Sequence, residues 1–304
     1  MEINPKKSVE ELVNTLPDAF VIQFWGVRGT LPVPGKKTIH YGGNTNCVSL
    51  RCGPNRFLIF DAGTGIKELS NYLVQNHLLP ISAKIFLTHP HYDHINGIPF
   101  FVPLYLKGNQ FEFLGMGHGS LNIKNLISNQ MDSVYFPVTI NEFESSFSFR
   151  NLTDEILDVD GLKVSTIPLN HPGGCLGYRV NYQNKSFCFI TDNELYLEDS
   201  PHYDAAEVAR LVNFIKETDL LIIDSTYSDE VYKKKVNWGH SAVSRVVDVA
   251  IQANVKVFCL FHHDPDQYDE DIAAKVKSAQ ALLKQRHSKI KCIAPREGDV
   301  FVLE

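Results

Sequence analysis

The sequence predicts an α/β fold in four layers, an αββα sandwich with two β-sheets packed face to face and helices outside them. Three observations carry this expectation. Short apolar, β-rich segments recur through both halves of the 304-residue chain. Each half also contributes segments whose apolar residues fall at helical spacing. No Pro/Gly/Ser-rich linker, low-complexity run or repeat interrupts them, so a single domain over residues 1–304 is expected. Sheets and helices with one apolar face must each bury it, and the layered arrangement does so around a core that a chain of this length amply supplies.

Residues 20–25 are apolar and β-prone and end at Gly26, after which Gly29, Pro32, Pro34 and Gly35 make a loop. Strands over 46–51 and 56–60 follow, joined by the turn Gly53-Pro54-Asn55. Asp61-Ala62-Gly63-Thr64-Gly65 leads into a helix on which Ile66, Leu69 and Leu73 form a stripe, and 84–87 is a short buried strand. Residues 99–158 are the least assignable stretch. Their aromatics (Phe100, Phe101, Tyr105, Phe111, Phe113, Tyr135, Phe136) are expected mainly in the core, with part of the segment forming a lid.

In the second half, 162–168, 176–182 and 186–190 read as strands. A helix over 205–217 carries Val208, Leu211, Val212 and Ile215 on one face, and 220–223 is an apolar strand. A helix over 241–253 has Ser241 as expected N-cap and Val243, Val246, Val247, Ala250 and Ile251 inside. A strand over 255–261, a helix over 271–285, a strand over 290–294, a turn at Glu297-Gly298 and a strand over 300–303 complete the chain.

The net charge of -6 argues against a broad basic surface for duplex nucleic acid. The six cysteines are dispersed without a CxxC pair and read as buried thiols of a reducing compartment. Residues 1–18 lack an apolar segment of signal-peptide length, and no run approaches membrane-spanning length, so a soluble cytoplasmic protein is expected.

The densest chemistry lies in Thr88-His89-Pro90-His91-Tyr92-Asp93-His94, directly after the apolar run 83–87. His89, His91, Asp93 and His94 place four metal-seeking side chains within six positions. Imidazole and carboxylate suit Zn²⁺, Mn²⁺ or Fe²⁺, and a loop leaving a strand turns alternate side chains toward one point. With His89 and His91 two apart and Asp93 and His94 adjacent, the ligands face more than one direction, which suits two metals.

The pattern His-x-His-x-Asp-His resembles the signature of the metallo-β-lactamase fold superfamily, whose αββα sandwich covers nearly the full chain. Three later strand ends add to the likeness: His171 before Pro172-Gly173-Gly174, Asp192 after 187–190, and His262-His263 after 257–261. Their order resembles that of ribonuclease Z and its smaller phosphodiesterase relatives. The resemblance implies that His89, His91 and His171 hold one metal, that Asp93, His94 and His262 hold the other, and that Asp192 bridges them. His263 competes with His262; His262 is favoured because it comes first after the strand, leaving His263 for an outer or substrate contact. Gly239-His240-Ser241 resembles the His-Ser-Thr element of ribonuclease Z, whose histidine donates a proton, with Ala242 in place of the threonine. Residues 221–226 resemble the strand that ends in the acidic partner of that histidine, with Asp224 in place of the usual Glu. Residues 24–30, 41–47 and 61–65 resemble a group of bacterial hydrolases of the same branch.

These likenesses imply a dinuclear metal-dependent hydrolase, zinc foremost and manganese or iron also suited, with Asp93 as ligand and proton acceptor. His240, oriented by Asp224, protonates the leaving alkoxide of a phosphodiester. Ribonuclease Z-like enzymes that process transfer RNA carry an arm between the equivalents of His171 and Asp192. Here only 172–191 separates them, so the expected substrate is a small phosphodiester such as a cyclic nucleotide or nucleotide-derived ester. Lys233-Lys234-Lys235 before Trp238 keeps RNA or single-stranded nucleic acid as the alternative, and thioester hydrolysis of the glyoxalase II type is another. His91, where redox di-iron relatives carry Glu, and Asp192, where true β-lactamases carry Cys, argue against those activities. No membrane partner is expected, and the resembling family often forms homodimers.

Overall fold

The computed structural model describes residues 1–304. In chain order the first elements are β1 (Glu2–Ile3), α1 (Val9–Thr15), β2 (Phe20–Gly26), β3 (Cys47–Arg51), β4 (Phe57–Phe60), α2 (Gly65–Gln75), β5 (Ser82–Leu87), α3 (Tyr92–Ile95), β6 (Gln110–Gly115), α4 (Ile123–Gln130) and β7 (Ser146–Asn151). Then come β8 (Ile156–Val159), β9 (Leu162–Leu169), β10 (Cys175–Tyr182), β11 (Lys185–Ile190), α5 (Ala205–Phe214), β12 (Leu220–Asp224), α6 (Asp229–Tyr232), α7 (Val243–Gln252), β13 (Val257–Phe261), α8 (Asp269–Gln285), β14 (Lys291–Ile293) and β15 (Val300–Leu303). They divide into two compact units: Met1–Pro32, Gly42–Leu152 and Arg296–Glu304 form one, and Val33–Tyr41 with Thr153–Pro295 the other.

The first unit holds an eight-stranded sheet in the order β1-β15-β2-β3-β4-β5-β6-β7. From β15 to β4 the pairs are antiparallel, and from β4 to β7 they are parallel. The change of direction follows from α2, a crossover helix that returns the chain to the same end of the sheet. The stripe Ile66, Leu69 and Leu73 packs with Ile59, Ile85 and Phe113 in one apolar cluster. A Cβ on Gly65 would lie 2.6 Å from Gly26 N, so the first turn of α2 approaches the sheet as only glycine allows.

The segment 99–158, unassigned from sequence, supplies β6, α4, β7 and β8. Gln-Phe-Glu-Phe in β6 and Ser-Phe-Ser-Phe in β7 alternate with period two, which places Phe111 and Phe113 in the core and extends the sheet beyond β5. The expected core role holds for Phe101, Phe111 and Phe113, whereas Tyr135 is 82% and Phe100 52% exposed.

The second unit holds a seven-stranded sheet in the order β14-β13-β12-β11-β10-β9-β8. The pairs from β8 to β11 are antiparallel, and β11 to β14 run parallel with α5, α7 and α8 in the crossovers. Val208 and Leu211 of α5, Val246, Val247 and Ala250 of α7 and Ala279 of α8 pack with Ile190, Ile223 and Leu260 in one cluster. Parallel strands direct their carboxyl ends to one edge, where ligand sites of open α/β sheets gather. Asp192, Asp224 and His262 stand at the ends of β11, β12 and β13.

The structure corrects the start of the helix expected over 241–253. It begins at Val243, with Ala242 as a cap that makes no side-chain hydrogen bond. The Ser241 hydroxyl instead donates to Asn193 O at 2.5 Å and accepts from Leu195 N at 3.0 Å, tying the loop after β11 to the start of α7. All six cysteines are buried thiols. No helix is long and apolar enough to cross a membrane.

Candidate functional site

In the first unit the chain leaves β5 at Leu87 and turns at once. Thr88 is buried and anchored to Asp61: its backbone N donates to Asp61 Oδ1 at 2.8 Å and its hydroxyl lies 3.0 Å from both carboxylate oxygens. Asp61 is fully buried at the end of β4 and adopts φ +59°. Its second oxygen accepts from His94 Nδ1 at 2.7 Å, which leaves His94 Nε2 facing Asp93 Oδ2 at 3.1 Å. Asp93 is further positioned by Thr30 N, which donates to Oδ2 at 2.7 Å. His89 Nε2 and His91 Nδ1 lie 2.8 Å apart, and His89 Nδ1 sits 3.1 Å from the Thr88 hydroxyl. The structure thus gathers all four side chains of the sequence motif.

In the second unit the same construction recurs. His171 follows β9, and its Nδ1 donates to Gly239 O at 2.9 Å, turning Nε2 toward Asp192 Oδ1 at 3.7 Å. Asp192 adopts φ +56° and presents its other oxygen to His262 Nε2 at 3.2 Å. His262, at φ +59°, places Nδ1 3.0 Å from the Thr226 hydroxyl. Left-handed backbone at Asp61, Asp192 and His262 re-aims a side chain where the chain leaves a strand, a strain that persists because buried hydrogen bonds over-determine it. His263 places Nδ1 3.1 Å from Lys275 Nζ, and that buried amine also donates to Ser225 O at 2.8 Å.

His240 completes this cluster. Its Nδ1 lies 2.7 Å from Asp224 Oδ2, and its ring stacks on His262 with centroids 4.8 Å apart. Asp224 Oδ1 accepts from Thr226 N at 3.0 Å and Ser241 N at 3.3 Å. Burial alone would raise the Asp224 carboxyl, but the charge and hydrogen bond of His240, with His262 nearby, hold it below its ordinary value. Burial lowers His171 against the pull of Asp192, favouring the neutral imidazole that a metal needs.

Two buried carboxylates brace the clusters: Asp61, which the sequence reading names only within the 61–65 segment, and Glu194, which it does not name. Glu194 is buried and accepts from Tyr232 Oη at 2.9 Å, Asn237 N at 2.8 Å and Gly239 N at 2.8 Å, shaping the loop that supplies both the His171 partner and His240. Its only sequence signal is an acidic residue two positions after Asp192.

The donor chemistry fits divalent cations. His89, His94, His171 and His262 each have one ring nitrogen held by an oxygen (Thr88, Asp61, Gly239 and Thr226 respectively), the arrangement that fixes tautomer and orientation in metal-binding histidines. Gly239 enforces one of them. It has φ +84°, and a Cβ there would lie 2.4 Å from His171 Nδ1 and from Pro172 Cδ. Gly239→Ala is therefore expected to displace His171 and weaken metal affinity by about 10- to 100-fold, the usual cost of losing an outer partner. Metal titration of the refolded apoprotein, with circular dichroism as the folding control, checks this.

Imidazole and carboxylate clusters at the strand ends of two mixed sheets flanked by helices, with a buried His-Asp pair among them, define a hydrolase of α/β-sandwich fold. Residues 55–263 match the Beta-lactamase superfamily domain, and the chain belongs to that superfamily. It is similar to the ribonuclease Z of Lactococcus lactis subsp. cremoris (strain SK11), with 24% identity over 307 residues covering 86% of this chain and 94% of that protein. Among solved structures, the metallo-β-lactamase fold protein YhfI from Bacillus subtilis matches with a TM-score of 0.68 at 14% identity, covering 94% of this chain and 100% of that one. Human tRNase Z, short form, matches with a TM-score of 0.62 at 19% identity, covering 93% and 100%. The fold class and the family expected from the sequence are those found.

Proposed function

We propose that the protein is a dinuclear metal-dependent phosphodiesterase acting on a small phosphodiester, such as a cyclic nucleotide or nucleotide-derived ester. The observation that carries this reading is the His240–Asp224 pair, 2.7 Å apart beside Asp192, because an oriented imidazole suits a reaction that must protonate an alkoxide. His89, His91 and His171 would hold one cation, Asp93, His94 and His262 the other, and Asp192 would bridge. When bound, such cations polarise a phosphoryl oxygen and lower the pKa of water, to about 7 in the well-studied zinc case. Zinc, manganese and iron all suit these donors.

The chain's own groups supply the rest. Asp224 keeps the Nδ1 proton of His240 engaged, so Nε2 is the nitrogen that would deliver a proton to the leaving group. Asp93, whose Oδ2 accepts from Thr30 N, would accept one. The likeness to ribonuclease Z supports phosphodiester cleavage as the chemistry. The size of the substrate is argued from β10 and β11, which are joined by Gln183 and Asn184 alone, with no arm at that position.

The test is a metal-reconstituted assay of bis(p-nitrophenyl) phosphate, cyclic nucleotides, a thioester and a β-lactam. Turnover of the phosphodiesters is expected, and turnover of the thioester alone would overturn the reading. The ribonuclease Z likeness also favours a second reading, cleavage of RNA, with Lys233, Lys234 and Lys235 as backbone contacts. Binding of single-stranded oligonucleotides separates the two. A nuclease loses affinity linearly in log salt, with a slope of about -0.7 per phosphate contacted, whereas a small-ester enzyme shows weak and shallow binding.

A further inference from the structure

We infer that Trp238 is the seat of a nucleobase, so that this enzyme prefers esters carrying a base over aliphatic phosphodiesters; the inference rests on the phosphodiesterase reading and names its substrate class. Scattered exposed apolar side chains are ordinary on protein surfaces. What sets Trp238 apart is how it is mounted.

The indole is 56% exposed, yet the backbone that carries it is fixed on both sides by one buried carboxylate: Glu194 accepts from Asn237 N and from Gly239 N, each at 2.8 Å. Tyr196 Oη donates to Asn237 Oδ1 at 2.8 Å, and Trp238 N donates to Lys235 O at 3.1 Å. Lys235 Nζ lies 3.6 Å from the ring centroid, so an ammonium sits over one face of a ring that is more than half exposed. The loop also reaches the catalytic cluster directly. Gly239 O holds His171 Nδ1 at 2.9 Å, and His240 is the next residue.

An exposed aromatic held this firmly, two positions from the proposed proton donor, meets a base with little ordering left to lose. Every nucleobase has a flat face, so the platform is tolerant of base identity. Lys233 and Lys234, both exposed, precede Trp238 in the chain and add positive charge to the segment that carries it.

The experiment uses the metal-loaded full chain. The other tryptophan, Trp25, is only 6% exposed and donates Nε1 to Ser49 Oγ, so quenching by an aqueous base reports on Trp238. AMP is expected to quench saturably and ribose 5-phosphate to leave the signal unchanged. By calorimetry, Trp238→Ala weakens AMP by about 5- to 150-fold, the range that stacking on one base supplies, while the affinity for ribose 5-phosphate is unaltered. Trp238→Phe keeps most of the affinity, which a mere folding defect would not. In turnover of 2′,3′-cyclic AMP, Trp238→Ala raises KM and spares kcat. Equal affinities for AMP and ribose 5-phosphate, or an AMP affinity unchanged in Trp238→Ala, overturn the inference. If AMP binding depends on Trp238 but no phosphodiester is hydrolysed, the base site stands and the phosphodiesterase reading fails. If phosphodiesters are hydrolysed and Trp238→Ala changes nothing, the reverse holds.

Discussion

His240→Ala lowers kcat by about 10²- to 10⁴-fold, the span that a positioned general acid supplies, and leaves metal content at the parent value. The geometry gives this prediction an alternative to beat. His171, Asp192 and His240 lie close enough to act together as three donors to one ion, so His240 has two potential roles. Its 2.7 Å bond to Asp224 engages Nδ1, the nitrogen that also lies 3.9 Å from Asp192, so Nε2 is the atom that serves in either role. Two measurements separate the roles. Elemental analysis shows whether a metal leaves with the imidazole, which would make His240 a ligand. The leaving group supplies the second: an ester with an alkoxide leaving group needs the proton and suffers the full loss, whereas p-nitrophenolate departs without help and suffers little. Equal losses for both substrates would refute the proton-donor assignment. Asp224→Asn is expected to reproduce part of the effect, since Asp224 is held ionised by His240 and orients it.

Much of this was legible because the chemistry sits where strands end, and strand ends are marked in the sequence by an apolar run followed by Gly, Pro or a carboxylate. His89 to His94 form a local motif, and β5 before it ends in the buried apolar run Ile85-Phe86-Leu87 that an interior parallel strand favours. His171, Asp192 and His262, the further ligands of the proposal, are read in the sequence the same way, each after a strand-like run. The sequence favours His262 over His263 only because it comes first after the strand. It is Lys275, reaching back from α8, that occupies the Nδ1 side of His263, while His262 faces Asp192. The part that Asp61 and Glu194 play is not legible for a related reason, since they accept hydrogen bonds from residues 27 to 45 positions away, and no local pattern encodes that. Ser241 misled because a serine before an apolar stripe ordinarily caps a helix, whereas here its hydroxyl is spent on Asn193 and Leu195. β6 and β7 are unassigned from sequence for another reason: their two-residue alternation lies within a stretch dense in aromatics, which signals burial more strongly than period.

Asp192→Ala is expected to abolish stable binding of both metals and to reduce kcat/KM by at least about 10³-fold, the rate equivalent of the several kcal/mol that cation polarisation supplies. The reason lies in its two oxygens. Oδ1 faces His171 Nε2 at 3.7 Å and Oδ2 faces His262 Nε2 at 3.2 Å, so one carboxylate serves two imidazoles that the proposal assigns to different ions. Thr191 Oγ1, donating to Oδ2 at 2.8 Å, holds the carboxylate in that pose. Removing the side chain leaves both imidazoles without the negative charge that would offset two dications. An ordinary ligand to one ion would instead cost one metal. Stoichiometry by elemental analysis after dialysis therefore decides the matter: a chain that retains one tightly bound ion makes Asp192 a terminal ligand, and one that retains two removes it from the site. Asp192→Asn keeps the shape and one oxygen acceptor but loses the charge, so it should fold as the parent does and bind metal more weakly than the parent. That result would assign the defect to the lost carboxylate and not to a collapsed loop.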